Sequence, residues 1–178
     1  MTEPGRLISL GEEEDLIDAR GLLDVALACR DMRDRRKAGT THIANQALWS
    51  FWEMPRMGAR VDSKYPKAWP WSPEARHRYQ SNAGRKPVGG WQLVYEHVRP
   101  RGIIAGGIIE GAHTFTPASL VAHLNHFMAG AVITKAEDRL FHQAKVARSP
   151  LDVNDPDVWT RYRTAGLDPD TFAPLDPT

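Results

Sequence analysis

One cysteine, Cys29, in a chain of 178 residues excludes an internal disulfide and any zinc site built from clustered cysteines. No run of about 18 apolar residues occurs, which excludes a transmembrane helix, and no membrane partner is expected. The first residues carry acids where a secretory leader would carry a basic region and an apolar stretch. A cytoplasmic protein is the expectation. No Gly-x-Ser-x-Gly elbow is present, so nothing marks a hydrolase nucleophile of that type. Gly102, Gly106, Gly107 and Gly111 lack the order and the final Lys-Ser/Thr of a phosphate-cradling loop. No internal repeat and no low-complexity tract is found.

What remains has globular composition, with 42% hydrophobic and 25% charged residues. A chain this long can bury a substantial core. Its net charge of +1 hides a division. Residues 1–29 carry two Lys/Arg and seven Asp/Glu; residues 30–101 carry fifteen and six; residues 102–178 carry six and nine. A basic middle between acidic flanks suits a phosphate-binding face, and equally suits a solvated helix face with basic loops.

Taken in order, residues 1–10 read as a flexible arm. Acids at 12–15 and bases at 33–37 bracket a helix from about 12 to 37, with Leu16, Ala19, Leu23, Ala26 and Leu27 on its apolar face. Ala38-Gly39 ends it. A second helix from Thr40 or Thr41 runs to about Trp52, with Ile43, Ala47 and Phe51 lining one side and Leu48 and Trp52 beside them. Prolines 66, 70, 73 and 87 break residues 55–90 into irregular structure, apart from a short helix opened by Ser72-Pro73. Trp91 to Val98 alternates as a strand, which sends Glu96 and His97 to opposite faces. Residues 103–109 fit a hairpin or a glycine-broken helix. Thr116-Pro117 starts another helix, Ala131 to Ile133 is a short strand, and Thr134 to Glu137 is a capping box opening a helix to about Ala147. In the tail, Trp159 and Tyr162 are the expected anchors. The fold class is α+β, a mainly helical single domain over 11–150 with a small antiparallel sheet formed around 91–98 and 131–134, and 151–178 form a Pro/Asp-rich tail packed on the body.

Lys64-Tyr65-Pro66-Lys67-Ala68-Trp69-Pro70-Trp71 interleaves aromatics with lysines. Such a stretch can stack bases on Trp69 and Trp71 while Lys64 and Lys67 hold phosphates, or the indoles can plug a core beneath a long loop. Arg76, His77, Arg78 and Arg85 add to the basic surface, and Arg76, Arg78, Arg99 and Arg101 extend the candidate nucleic-acid site.

Tyr-Glu-His-Val-Arg-Pro at 95–100 and Ile-Thr-Lys-Ala-Glu-Asp-Arg-Leu-Phe-His at 133–142 resemble the first and last motifs of HNH, or ββα-metal, nucleases. The resemblance covers about 50 residues. It implies phosphodiester hydrolysis of DNA, as in restriction or phage defence, with His97 as general base and Asn125 as the orienting asparagine. It also implies Glu96, Asp138 and His142 as ligands of a divalent metal, Mg²⁺ or Mn²⁺ ahead of Zn²⁺. Asp138 stands where a histidine is usual, and the gap from His97 to Asp138 is longer than the family's loop. Each piece also has an ordinary account: a helix cap, a surface histidine, a pair between Glu96 and Arg99 or Arg101. The alternative is a non-catalytic module that uses the basic stretch 30–101 to bind nucleic acid or a protein partner, including a second copy.

Overall fold

The computed structural model describes residues 7–62, 64–147 and 157–175, without the side chains of 33–38. The elements in chain order are α1 (Glu12–Ala47), a π-helical segment Leu48–Glu53, α2 (Met54–Arg56), β1 (Arg60–Val61), β2 (Tyr65–Pro66), α3 (Pro73–Ser81), β3 (Leu93–His97), α4 (Arg101–Gly111), α5 (Pro117–Phe127), β4 (Gly130–Thr134), α6 (Lys135–Gln143), α7 (Thr160–Thr164) and a 3₁₀ turn Pro169–Thr171. This is a mainly helical α+β fold with small antiparallel pairings, as the sequence predicts. The chain divides into two compact units: residues 58–100 with 129–175, and residues 7–57 with 101–128.

The second of these units is all helix. Helical structure is continuous from Glu12 through Glu53, yet the chain reverses within it. A straight helix would set Asp15 and Arg56 roughly 60 Å apart at 1.5 Å per residue. Instead the Arg56 guanidinium donates to Asp15 at 2.6 Å and 3.0 Å. Cys29 likewise meets the backbone of Ala44. Two arms therefore pack side by side, with the reversal between Cys29 and Ala44; the helix end predicted at Ala38-Gly39 is not seen, since helical backbone runs through it. The buried face of the second arm matches expectation at Ala47, Leu48 and Trp52 and departs from it at Ile43 and Phe51. Ala44, Ala47, Leu48 and Trp52 are buried, while Ile43 and Phe51 are exposed. The first arm contributes Ala19, Leu22, Leu23, Ala26 and Cys29, and α4 and α5 complete the core with Ile104, Ile108, Ile109, Leu120 and Leu124. Residues 103–109 are thus helical, glycines included.

Leu7 to Leu10 do not form a loose arm. The Ile8 amide donates to Arg56 O, and the Ser9 hydroxyl to Asp15 at 2.6 Å. The rest of the predicted arm, residues 1–6, lies outside the described residues.

The other unit is built on the predicted sheet. β3 and β4 run antiparallel with Leu93 opposite Thr134, Glu96 opposite Ala131 and His97 opposite Gly130. Alternation gives the ribbon two apolar faces. Val94, Val98, Ala131 and Ile133 face Phe141 of α6, Tyr162 of α7 and Phe172. Leu93, Tyr95 and Val132 face Trp71, Trp91 and Ala75 of α3. Both helix starts are capped as predicted: Ser72 Oγ accepts from Ala75 N at 3.1 Å, and Thr134 and Glu137 exchange bonds in a capping box. Tyr162 is fully buried, so the predicted tail anchor is a core residue. Among the described residues no helix is long and apolar enough to cross a membrane.

Candidate nucleic-acid interface

Strand β3, strand β4 and helix α6 follow the strand–strand–helix order that the resemblance implies, with α4 and α5 inserted between the strands. Regular pairing to the last residue of β3 keeps the alternation, and Glu96 and His97 project to opposite sides of the ribbon.

Glu96 lies on the α6 face and is the counter-ion of Arg161. The two make a very short contact between Nη2 and Oε1. The rest of the guanidinium is spent on backbone carbonyls: Nη2 to His97 at 2.6 Å, Nε to Val98 at 3.2 Å, and Nη1 to Ala147 at 3.0 Å. Arg161 is only 4% exposed and also sits 4.6 Å over the Phe141 ring. The carboxylate expected to ligate a metal is therefore committed to a buried arginine. Withdrawing it would leave that charge uncompensated.

His97 lies on the other face, half-buried. Its ring meets Tyr95 edge-on at 4.9 Å, and Tyr95 rests against Trp69 at 4.7 Å. Gly130, opposite His97, is needed by this stack. A Cβ there would stand 1.9 Å from the Trp69 ring and 2.8 Å from Glu96 O.

Asp138 and His142 lie on α6, the first half-buried and the second exposed. Asp138 and Glu96 both act on the Tyr162 hydroxyl, which donates to Glu96 O at 3.2 Å. Burial first, then these two carboxylates, pushes that phenol well above its ordinary range. The strand acid and the helix acid thus share one neighbourhood, and His97 does not. Among the described residues no three His, Cys, Asp or Glu side chains are grouped to hold a metal ion. Of the donors predicted for a divalent metal, Glu96 is engaged by Arg161, while Asp138 and His142 lie on α6. Asn125 lies on α5, in the all-helical unit, and is half-buried.

The expected nucleic-acid residues separate into three groups. Trp69 and Trp71 are 1% and 0% exposed, so neither presents a face to a base. Trp71 is the hub of its cluster: its indole donates to Pro66 O at 2.9 Å, and its backbone pairs with Ala173 and Val132. This corrects the stacking expectation in favour of core packing. Arg101 and Arg76 are also tied down. Arg101 bonds Asn45 at 2.6 Å and the buried Glu53 at 3.0 Å, and lies over Trp49. Arg76 donates to Thr171 O at 3.1 Å, holding the C-terminal segment. Lys67, Arg78 and Arg99 are half-buried, and Lys64 is exposed over the Tyr65 ring at 5.5 Å.

The turn between β1 and β2 meets the loop after α3 through Lys86 and Asp62, 2.6 Å apart. The Asp62 hydrogen bond and its charge raise the Lys86 pKa. Arg60, Lys64, Arg85 and Lys86 are all exposed along these two segments. Residues 60–86 hold seven Lys/Arg against Asp62 and Glu74. Of these four, Arg60 and Lys86 did not stand out in the sequence, because nothing local shows that two segments about 25 residues apart meet. Arg161, the partner of Glu96, gave no signal either.

No protein-family model, curated protein or solved structure matches the chain.

Proposed function

We propose that this protein binds nucleic acid, with DNA as the favoured form, in the cytoplasm and without catalysis, through the sugar–phosphate backbone. The observation that carries the reading is the set of exposed cations Arg60, Lys64, Arg85 and Lys86 on two segments joined at Asp62. Phosphates are held by such charges with release of counterions, which needs neither a metal nor base-specific contacts. The β3–β4 ribbon, held between α3 on one face and α6 and α7 on the other, is the rigid base from which both segments project.

A hydrolytic reading has one observation of its own, the strand–strand–helix order ending in α6 with Asp138 and His142. It keeps His97 as base and needs a divalent metal. Against it stand the commitment of Glu96 to Arg161 and the placement of His97 on the face away from α6.

A gel shift with duplex DNA in chelator, beside a plasmid-nicking assay with Mg²⁺ or Mn²⁺, separates the two. Retardation in chelator with intact plasmid is expected. Nicking by the wild type that disappears in His97→Ala would replace the binding reading with the hydrolytic one.

A further inference from the structure

Val88 is fully exposed, with no packing from its own fold. It is the exposed large apolar side chain among the described residues of the sheet-containing unit; the others, from Ile8 to Met54, belong to the helical unit. A valine held clear of the surface loses apolar burial and gains nothing unless a partner covers it.

The segment that carries it is ordered. The Gly90 amide donates to Pro87 O at 2.9 Å, closing a turn with Val88 and Gly89 at its corners. Gly89 has φ +86, the left-handed value that the third position of a type II turn requires. Gln92 Nε2 donates to Gly89 O at 2.5 Å, and upstream the Arg85 amide donates to Asn82 O at 2.9 Å. Pro87 fixes the backbone just before the tip. A stiff corner therefore presents one apolar side chain, with Arg85 and Lys86 beside it and Lys86 anchored to Asp62.

We propose that the 84–90 turn is a groove-entering wedge, in which Pro87 and Val88 press against the base edges of duplex DNA while Arg85 and Lys86 hold the flanking phosphates. This rests on the nucleic-acid reading above and names its target as the duplex rather than a single strand. An apolar tip beside two cations matches a groove floored by stacked bases and rimmed by phosphates, and apolar residues inserted there bend the duplex. An anionic membrane offers the same charge. One valine, though, buries too little surface to hold a protein on a bilayer, where stable attachment takes an amphipathic helix or two anchors.

The test uses the full chain and a duplex of about 30 base pairs labelled at both ends for energy transfer, a length at which a protein-induced bend is readable. Wild type should bind and raise the transfer. Val88→Ser should keep its melting temperature, bind within about three-fold of wild type, and lose the rise in transfer, since phosphate contacts supply most of the affinity. Arg85→Ala with Lys86→Ala should lose affinity and flatten its salt dependence. Equal bending by wild type and Val88→Ser, or binding with no bend in either, overturns the wedge and leaves the phosphate-binding reading standing. No binding to duplex, with or without binding to vesicles of anionic lipid, overturns both.

Discussion

The Arg161 guanidinium and the Glu96 carboxylate meet on one face of β3 while the His97 ring packs against Tyr95 on the other. Adjacent acid and base in sequence are thus separated by the ribbon between them. The acid serves the fold, and the imidazole packs on the aromatic face.

Arg161→Met should be strongly destabilising. It leaves Glu96 without its counter-ion and strips donors from the carbonyls of His97, Val98 and Ala147. Breaking a buried pair from one side costs about 3–5 kcal/mol. Urea denaturation measures this. The double variant with Glu96→Gln should be less destabilised than the two single effects added together, because the residues are directly coupled. Strict additivity would mean that the pair contributes nothing.

Gly130→Ala should be costly for so small a change. The added methyl would overlap Trp69 and crowd the Glu96 carbonyl, and a fully buried indole and a paired strand have little room to yield. Overpacking of this kind costs about 1–3 kcal/mol or more. A melting temperature equal to wild type would show that the Trp69–Tyr95–His97 stack is looser than described.

Acid should weaken the helical unit through Asp15. Burial alone would raise its pKa, but the Ser9 hydroxyl, the Arg56 guanidinium and the Leu10 amide outweigh it and hold it below the ordinary 3.8. A carboxylate with a depressed folded pKa contributes stability that is fully present above 3.8 and lost as pH falls through the lower folded value. Denaturant midpoints measured from pH 5 downward should fall more steeply for wild type than for Asp15→Asn. Parallel curves would contradict the assignment.

Much of the fold could be read because its signals are local. Thr134 with Glu137, Ser72 with Pro73, and Thr116 with Pro117 mark helix starts through bonds a few residues apart, and all three mark real starts. The β3–β4 pairing followed from two short apolar runs, although α4 and α5 separate them. The site was legible only where it depended on strand alternation, which correctly sent Glu96 and His97 apart. It failed where partners are distant. Arg161 reaches Glu96 from 65 residues away, and Lys86 reaches Asp62 across a helix. The indoles at 69 and 71 show the same limit from the other side, since lysines beside aromatics look alike whether the rings face bases or a core.

Trp69 and Trp71 should behave as core residues in solution. Binding of nucleic acid should leave most tryptophan emission unquenched, and Trp71→Ala should cost about 3–5 kcal/mol of stability. Strong quenching that vanishes in Trp69→Phe would instead place that ring against bases.

The most direct test is the dependence of duplex affinity on salt, measured in chelator. Phosphate binding by Arg60, Lys64, Arg85 and Lys86 predicts a loss on the order of 100-fold between 50 and 200 mM salt, with a shallower slope when two of the four are replaced by alanine. Affinity that ignores salt, or that appears only when Mg²⁺ or Mn²⁺ is added, would contradict it.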